Sequence, residues 1–178
     1  MSAIRVAGLW LSTFLLSACA GPDIQSYAER TPSFTPETFF QGELLAHGVV
    51  KNRSGEAIRH FNATIDAQWR DGVGTLEERF EFDDGEIQYR TWTLTPNGAN
   101  HFNATAGDVV GTGKGEHKGN ALNLEYTLLI DYNGRDIAVN VDDWMWQVND
   151  HVVINESTLS KWGFKVGSVQ LVIQKLKD

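Results

Sequence analysis

Apolar and polar residues alternate with a period of two from Phe39 almost to the C-terminus. Phe61, Ala63, Ile65, Ala67 and Trp69 share one face of a segment, and His60, Asn62, Thr64, Asp66 and Gln68 share the other. Leu76, Phe80 and Phe82 oppose Thr75, Glu77, Arg79 and Glu81. Leu122, Leu124, Tyr126, Leu128, Ile130 and Tyr132 form the longest such run, and Val169, Leu171 and Ile173 repeat it near the end. This alternation predicts half-buried antiparallel strands. Turn signals separate them: Ser54-Gly55, Asp71-Gly72, Asp84-Gly85, Asn97-Gly98, Gly119-Asn120, Asn133-Gly134, Asn149-Asp150 and Lys161-Trp162-Gly163. Asn-Gly and Asp-Gly supply the positive φ angles of tight hairpins. The expectation is an all-β, up-and-down meander of nine or ten strands over residues 39–176. A meander of this length hides its edges by closing, which predicts a lipocalin-like barrel; an open, strongly curved sheet is the alternative.

One segment breaks parity. Ile137, Val139 and Val141 are in phase, whereas Trp144, Trp146 and Val148 are in the opposite phase. The switch at Asp142-Asp143 predicts a β-bulge there and places Trp144 inside the barrel. Gly111, Gly113 and Gly115 also recur with period two. On a strand they leave one face bare, for tight backbone packing or the floor under a flat ligand. Neither the spacing nor a following helix supports a phosphate loop.

The N-terminus departs from this pattern. Val6 to Leu16 is a mostly apolar run preceded by Arg5, too short to span a bilayer and suited to an export signal. Leu16-Ser17-Ala18-Cys19 follows and resembles the bacterial lipobox, in which the cysteine becomes the acylated first residue of the mature chain. Cys19 is the chain's one cysteine, so no internal disulfide or multi-cysteine metal site is expected. This gives a signal peptide over residues 1–18, an acylated N-terminal tether over 19–37 and a β-barrel domain over 38–178. Three of the four prolines fall at 22, 32 and 36, and Thr35-Pro36-Glu37 fits one short helical turn before Phe39 and Phe40. Ala20, and not an aspartate, follows the cysteine. In a Gram-negative host that implies the outer membrane, with the protein lipid-anchored on its periplasmic face.

Charge narrows the partners. Fifteen basic residues against 23 acidic ones give −8, and loss of residues 1–18 removes Arg5 and no acid, giving −9. Nucleic-acid binding is not expected without a concentrated basic face. The five histidines lack metal-ligand spacing, so no metal and no cofactor is expected.

Candidate chemistry concentrates on the inward phases. Phe61, Trp69, Phe80, Phe82, Trp92, Leu124, Tyr126 and Trp144 supply an apolar lining, with Phe80, Trp69, Trp92, Tyr126 and Trp144 as ligand-binding candidates. Arg90 shares a face with Trp92 and Leu94. It has three possible roles: stacking on an aromatic, holding an anionic head group such as a fatty-acid carboxylate, or pairing with Asp142 or Asp143. Those two aspartates, beside Trp144, are the weak catalytic candidates, because a carboxyl packed against indole has a raised pKa.

Several stretches also resemble a family of short bacterial lipoproteins known only as a domain of unknown function. They are Phe80 to Glu86, Arg90 to Leu94, Asp108 to Gly111, Gly119 to Leu122, Asp142 to Met145 and Asn155 to Gly167. The likeness spans roughly residues 38–175. Trp146 departs from it, standing where members tend to carry a different large apolar residue. The resemblance implies a calycin-type strand pattern and transfers no activity, substrate or site.

Together these features point to an envelope lipoprotein that binds a lipid or other apolar small molecule. A cavity well under about 300 Å³ would count strongly against such a role. The alternative is a packed module whose function lies in an unidentified protein partner. An enzyme using Asp142 or Asp143 with Arg90 ranks third.

Overall fold

A computed structural model describes residues 21–176. Ten strands follow one another: β1 (Gly42–Asn52), β2 (Ala57–Arg70), β3 (Val73–Phe82), β4 (Ile87–Pro96), β5 (His101–Thr105), β6 (Gly113–Lys118), β7 (Ala121–Asp131), β8 (Asp136–Asn149), β9 (Val152–Lys161) and β10 (Phe164–Lys175). Each pairs antiparallel with its chain neighbours, and β1 pairs with β10 from Leu44↔Lys175 to Asn52↔Gly167. The meander therefore closes as a barrel in which each of the ten strands has a neighbour on both sides. At the β2–β3 hairpin, Asp71 and Gly72 both adopt positive φ (52° and 77°), the conformation for which Asp-Gly is suited.

Up-and-down topology sorts the connections to two ends. The β2–β3, β4–β5, β6–β7 and β8–β9 turns lie at one end, and the remaining five at the other. The first end is closed by the segment before β1. A 3-10 turn (Ile24–Tyr27) is followed by the helical turn α1 (Pro36–Phe39), with proline in its first turn as the sequence suggests. Phe34, Phe39 and Phe40 are buried in the core, with ring centroids 5.3–5.9 Å apart. The Phe34 N–H donates to the Gly119 carbonyl at 2.7 Å, fixing the segment to the β6–β7 turn. The expected tether is thus packed onto the barrel along much of its length. Its aromatics outweigh the extended tendency of its prolines, each fully buried Phe contributing about 1.5–3 kcal/mol. Cys19 and the export signal lie outside the described residues.

Trp69 belongs to this closed end. Its Nε1 donates to the Phe40 carbonyl at 2.7 Å, and its ring lies over Gly74, where a Cβ would sit 2.6 Å from it. It therefore braces the plug and does not line the interior as expected.

The expected bulge at Asp142–Asp143 is also corrected. β8 pairs without interruption through these residues with both β7 and β9, and its register shift lies between Gln147 and Asn149. The inward face is Val139, Val141, Asp143, Met145 and Gln147. Trp144 and Trp146 point outward and stack at 6.0 Å, and Tyr27 of the 3-10 turn covers Trp144 at 5.8 Å. The parity break arises because an N-terminal strap makes part of the outer wall apolar, while a carboxylate occupies the inner one.

Gly113 and Gly115 lie on the inward face of β6, whereas Gly111 is in the preceding connection with φ of 71°. Phe102 fills the space beside Gly115, where an added Cβ would overlap the ring. The bare stripe serves tight packing and extends over two glycines, not three.

Candidate ligand-binding cavity

The interior holds a cavity of about 200 Å³. It runs from Phe40 at the closed end toward Val50, Phe82 and Gln88, whose side chains are half-buried or exposed near the opposite end. Most of the lining is apolar, and Phe61, Phe80, Trp92, Leu124 and Tyr126 all contribute, as their inward phases predict. Trp92 meets Tyr126 edge-on at 5.2 Å, and Phe61 meets Phe80 at 5.4 Å. Trp69 and Trp144, the other aromatic candidates, do not reach this space.

Two groups of polar side chains face each other across the apolar lining. On β4, Arg90 makes a forked pair with Asp108: Nε donates at 2.9 Å and Nη2 at 2.7 Å to Oδ2. Asp108 comes from the connection between the short strands β5 and β6. That connection completes the wall between β4 and β7, with the Leu129 N–H donating to the Asp108 carbonyl and the Val110 N–H to the Thr127 carbonyl, both at 2.8 Å. None of the three roles weighed for Arg90 named this partner. Its guanidinium does lie over Phe80 and Trp92, at 5.6 and 5.8 Å from the ring centroids. Burial disfavours the Arg90 charge, but the Asp108 hydrogen bonds and the charge of Glu78 outweigh this and raise its pKa.

Glu78 is the residue that sequence reasoning missed. It sits on β3 directly opposite Arg90, on the inward phase between Leu76 and Phe80. Its side chain is 12% exposed, and Oε2 lies 3.9 Å from Arg90 Nη1 with no hydrogen-bond partner. Burial pushes its pKa up to about 7, against the opposing pull of Arg90, with Asp143 and Asp108 adding to the rise. The signal was available, since a carboxylate on the apolar phase of a strand is itself an anomaly.

Across the barrel, Asp143 on β8 is 6% exposed. It accepts hydrogen bonds from Asn155 Nδ2 and from Ser157 Oγ, the latter at 2.7 Å. Burial raises its pKa to about 6, and the Asn155 and Ser157 hydrogen bonds hold it from going higher. Asp142 instead points outward and accepts from Asn123 Nδ2 at 2.7 Å. The two adjacent aspartates therefore lie on opposite sides of the wall, and Asp143 alone shares the interior with Arg90. Tyr126 stays un-ionised, its pKa raised by burial and then by the charge of Asp143.

A family model, described as a protein of unknown function (DUF3833), matches residues 13–175. The chain belongs to the DUF3833 family. No curated protein matches it. Among solved structures, an S-type phycobiliprotein lyase from Guillardia theta is similar at a TM-score of 0.58 and 12% identity, covering 88% of this chain and 99% of that one. A protein of unknown function from the DUF3598 family of Nostoc punctiforme is similar at a TM-score of 0.57 and 15% identity, covering 82% of this chain and 51% of that one. At these identities the likeness carries the fold: this DUF3833 chain is a closed, lipocalin-like barrel.

Proposed function

We propose that the protein binds a small, largely apolar molecule inside the barrel. The cavity carries this reading: an interior space of about 200 Å³ that is mostly apolar yet edged by a few fixed polar groups. Binding sites for small molecules share this composition. The volume sets the scale of the ligand. It falls short of the ~300–1,000 Å³ of drug-sized sites, and an apolar cavity of about 150 Å³ is known to accommodate benzene. The ligand is therefore a bicyclic or short-chain molecule, or one end of a longer lipid whose remainder leaves through the open end. At about 200 Å³ the interior is smaller than a lipid-carrying barrel calls for, and this shortfall favours, as the second reading, a packed module that acts through a protein partner.

The lipobox Leu16 to Cys19 supports a lipoprotein in which acyl chains on Cys19 hold the barrel at a membrane, with the outer membrane favoured by Ala20. Two or three chains anchor stably where one does not. Metabolic labelling with radioactive palmitate is expected to mark the wild type and not Cys19→Ala.

Naphthalene tests the cavity itself, because it has no polar end. Titration calorimetry on detergent-free protein is expected to show one bound naphthalene per barrel, with a negative heat-capacity change from apolar burial. No binding up to the solubility limit would remove the reading.

A further inference from the structure

The polar end of the ligand can be inferred from the charges that face the cavity; this rests on the binding reading above. Four ionisable acids or bases line or brace the space: Glu78 on β3, Arg90 on β4, Asp143 on β8 and Asp108 behind Arg90. Tyr126 on β7 joins them as a neutral phenol. With all four charged, three carboxylates oppose one guanidinium. Arg90 is largely committed: Nε and Nη2 both bond to Asp108, and Nη1 lies 3.9 Å from Glu78 Oε2, close enough for charge attraction but not for a hydrogen bond. A fatty-acid carboxylate would therefore meet a guanidinium whose charge Asp108 already offsets, and would face Glu78 and Asp143 as well. Asp143 is satisfied by Asn155 and Ser157. Glu78 Oε2 is the group left with an unmet acceptor, shielded from solvent and lining the cavity. An unpaired acceptor in such a place is costly unless a donor arrives.

We propose that the cavity selects a small apolar molecule ending in a protonated amine, whose N–H bonds to Glu78 Oε2, and that it rejects carboxylates of the same size. This reverses the anion-holding role considered for Arg90. An ammonium on Glu78 also favours the ionised carboxylate, so amine binding is coupled to proton release. With burial raising Glu78 to about 7 and Asp143 to about 6, and with Arg90 held charged and Tyr126 held neutral, amine affinity rises with pH across this range.

Octylamine, octanol and octanoate test this with one chain length and three head groups, and naphthalene serves as the head-group-free control. At pH 8 octylamine is expected to bind at least about tenfold more tightly than octanoate, a difference of ~1.4 kcal/mol. Its affinity is expected to rise about tenfold from pH 6 to pH 8, while that of octanol stays level. In Glu78→Gln the pH dependence and the preference over octanol are expected to collapse, with naphthalene binding retained as proof of an intact cavity. Should naphthalene bind while octanoate equals or exceeds octylamine, the amine proposal is overturned and the apolar cavity stands. Should naphthalene fail to bind, both fall together.

Discussion

The two ends of the barrel carry the same kind of residue to opposite effect. At the closed end Phe34, Phe39 and Phe40 are at most 4% exposed, packed edge to face under the β6–β7 turn and tied to Trp69. At the other end Trp162 is 85% exposed, Tyr89 75% and Phe164 65%, on the β9–β10 and β3–β4 hairpins. Strand pattern does not separate these ends, because both follow from the same meander. What separates them is the segment preceding β1, which covers one end and leaves the other uncovered. The interior is thus a cavity with a floor, and its polar groups stand on the walls between floor and rim.

The largest predicted effect breaks or upholds this contrast directly. Phe39→Ala at the floor is expected to cost about 3–5 kcal/mol in urea denaturation, from lost burial and the cavity left behind. Phe164→Ala at the rim is expected to change stability by less than about 0.5 kcal/mol. Equal costs at the two positions would mean that the rim is packed in solution.

Next in size is the effect of Glu78, on the wall. Its folded pKa of about 7 lies above the ordinary value of 4.5. The unfolded chain therefore releases this proton first, and stability is lost as pH rises from about 4.5 to 7. Asp143, raised from 3.8 to about 6, acts in the same direction over its own range. Glu78→Gln is expected to raise stability at pH 8 by on the order of 3 kcal/mol and to flatten the decline between pH 5 and 8. Thermal denaturation across that range checks it. A stability that climbs with pH in the wild type would show that Glu78 is ionised and paired in the fold.

A smaller effect is expected at Gly115, near the floor. Gly115→Ala forces a methyl against the Phe102 ring and is expected to cost about 1–3 kcal/mol. No loss would show that Phe102 swings away easily and that the lower cavity is more adaptable than the static contacts suggest.

Much of the barrel was legible because a strand with one wet face writes its pairing into every second residue. The β7 run from Leu122 to Ile130 is such a case, and so are the Asp71-Gly72 and Asn133-Gly134 hairpins. β8 was misread because alternation reports which residues are apolar, not which surface buries them. Trp144 is buried from outside by Tyr27, a contact across more than a hundred residues that no local pattern encodes. Trp69 was placed on the correct face, but periodicity gives phase and not height, so its place in the floor stayed hidden. The Arg90–Asp108 pair was equally out of reach, since Asp108 enters the wall from an irregular connection. Glu78 differs from these. Its phase between Leu76 and Phe80 already placed a carboxylate inside, and only attention to the apolar members of that run obscured it.

A crystal structure of the protein grown with octylamine would locate the amine relative to Glu78. Density for the octyl chain is expected inside the barrel, among Phe80, Trp92 and Leu171, with the nitrogen within about 3 Å of Glu78 Oε2. An interior without density for the amine, or an amine bound only on the outer wall, would contradict amine binding at Glu78.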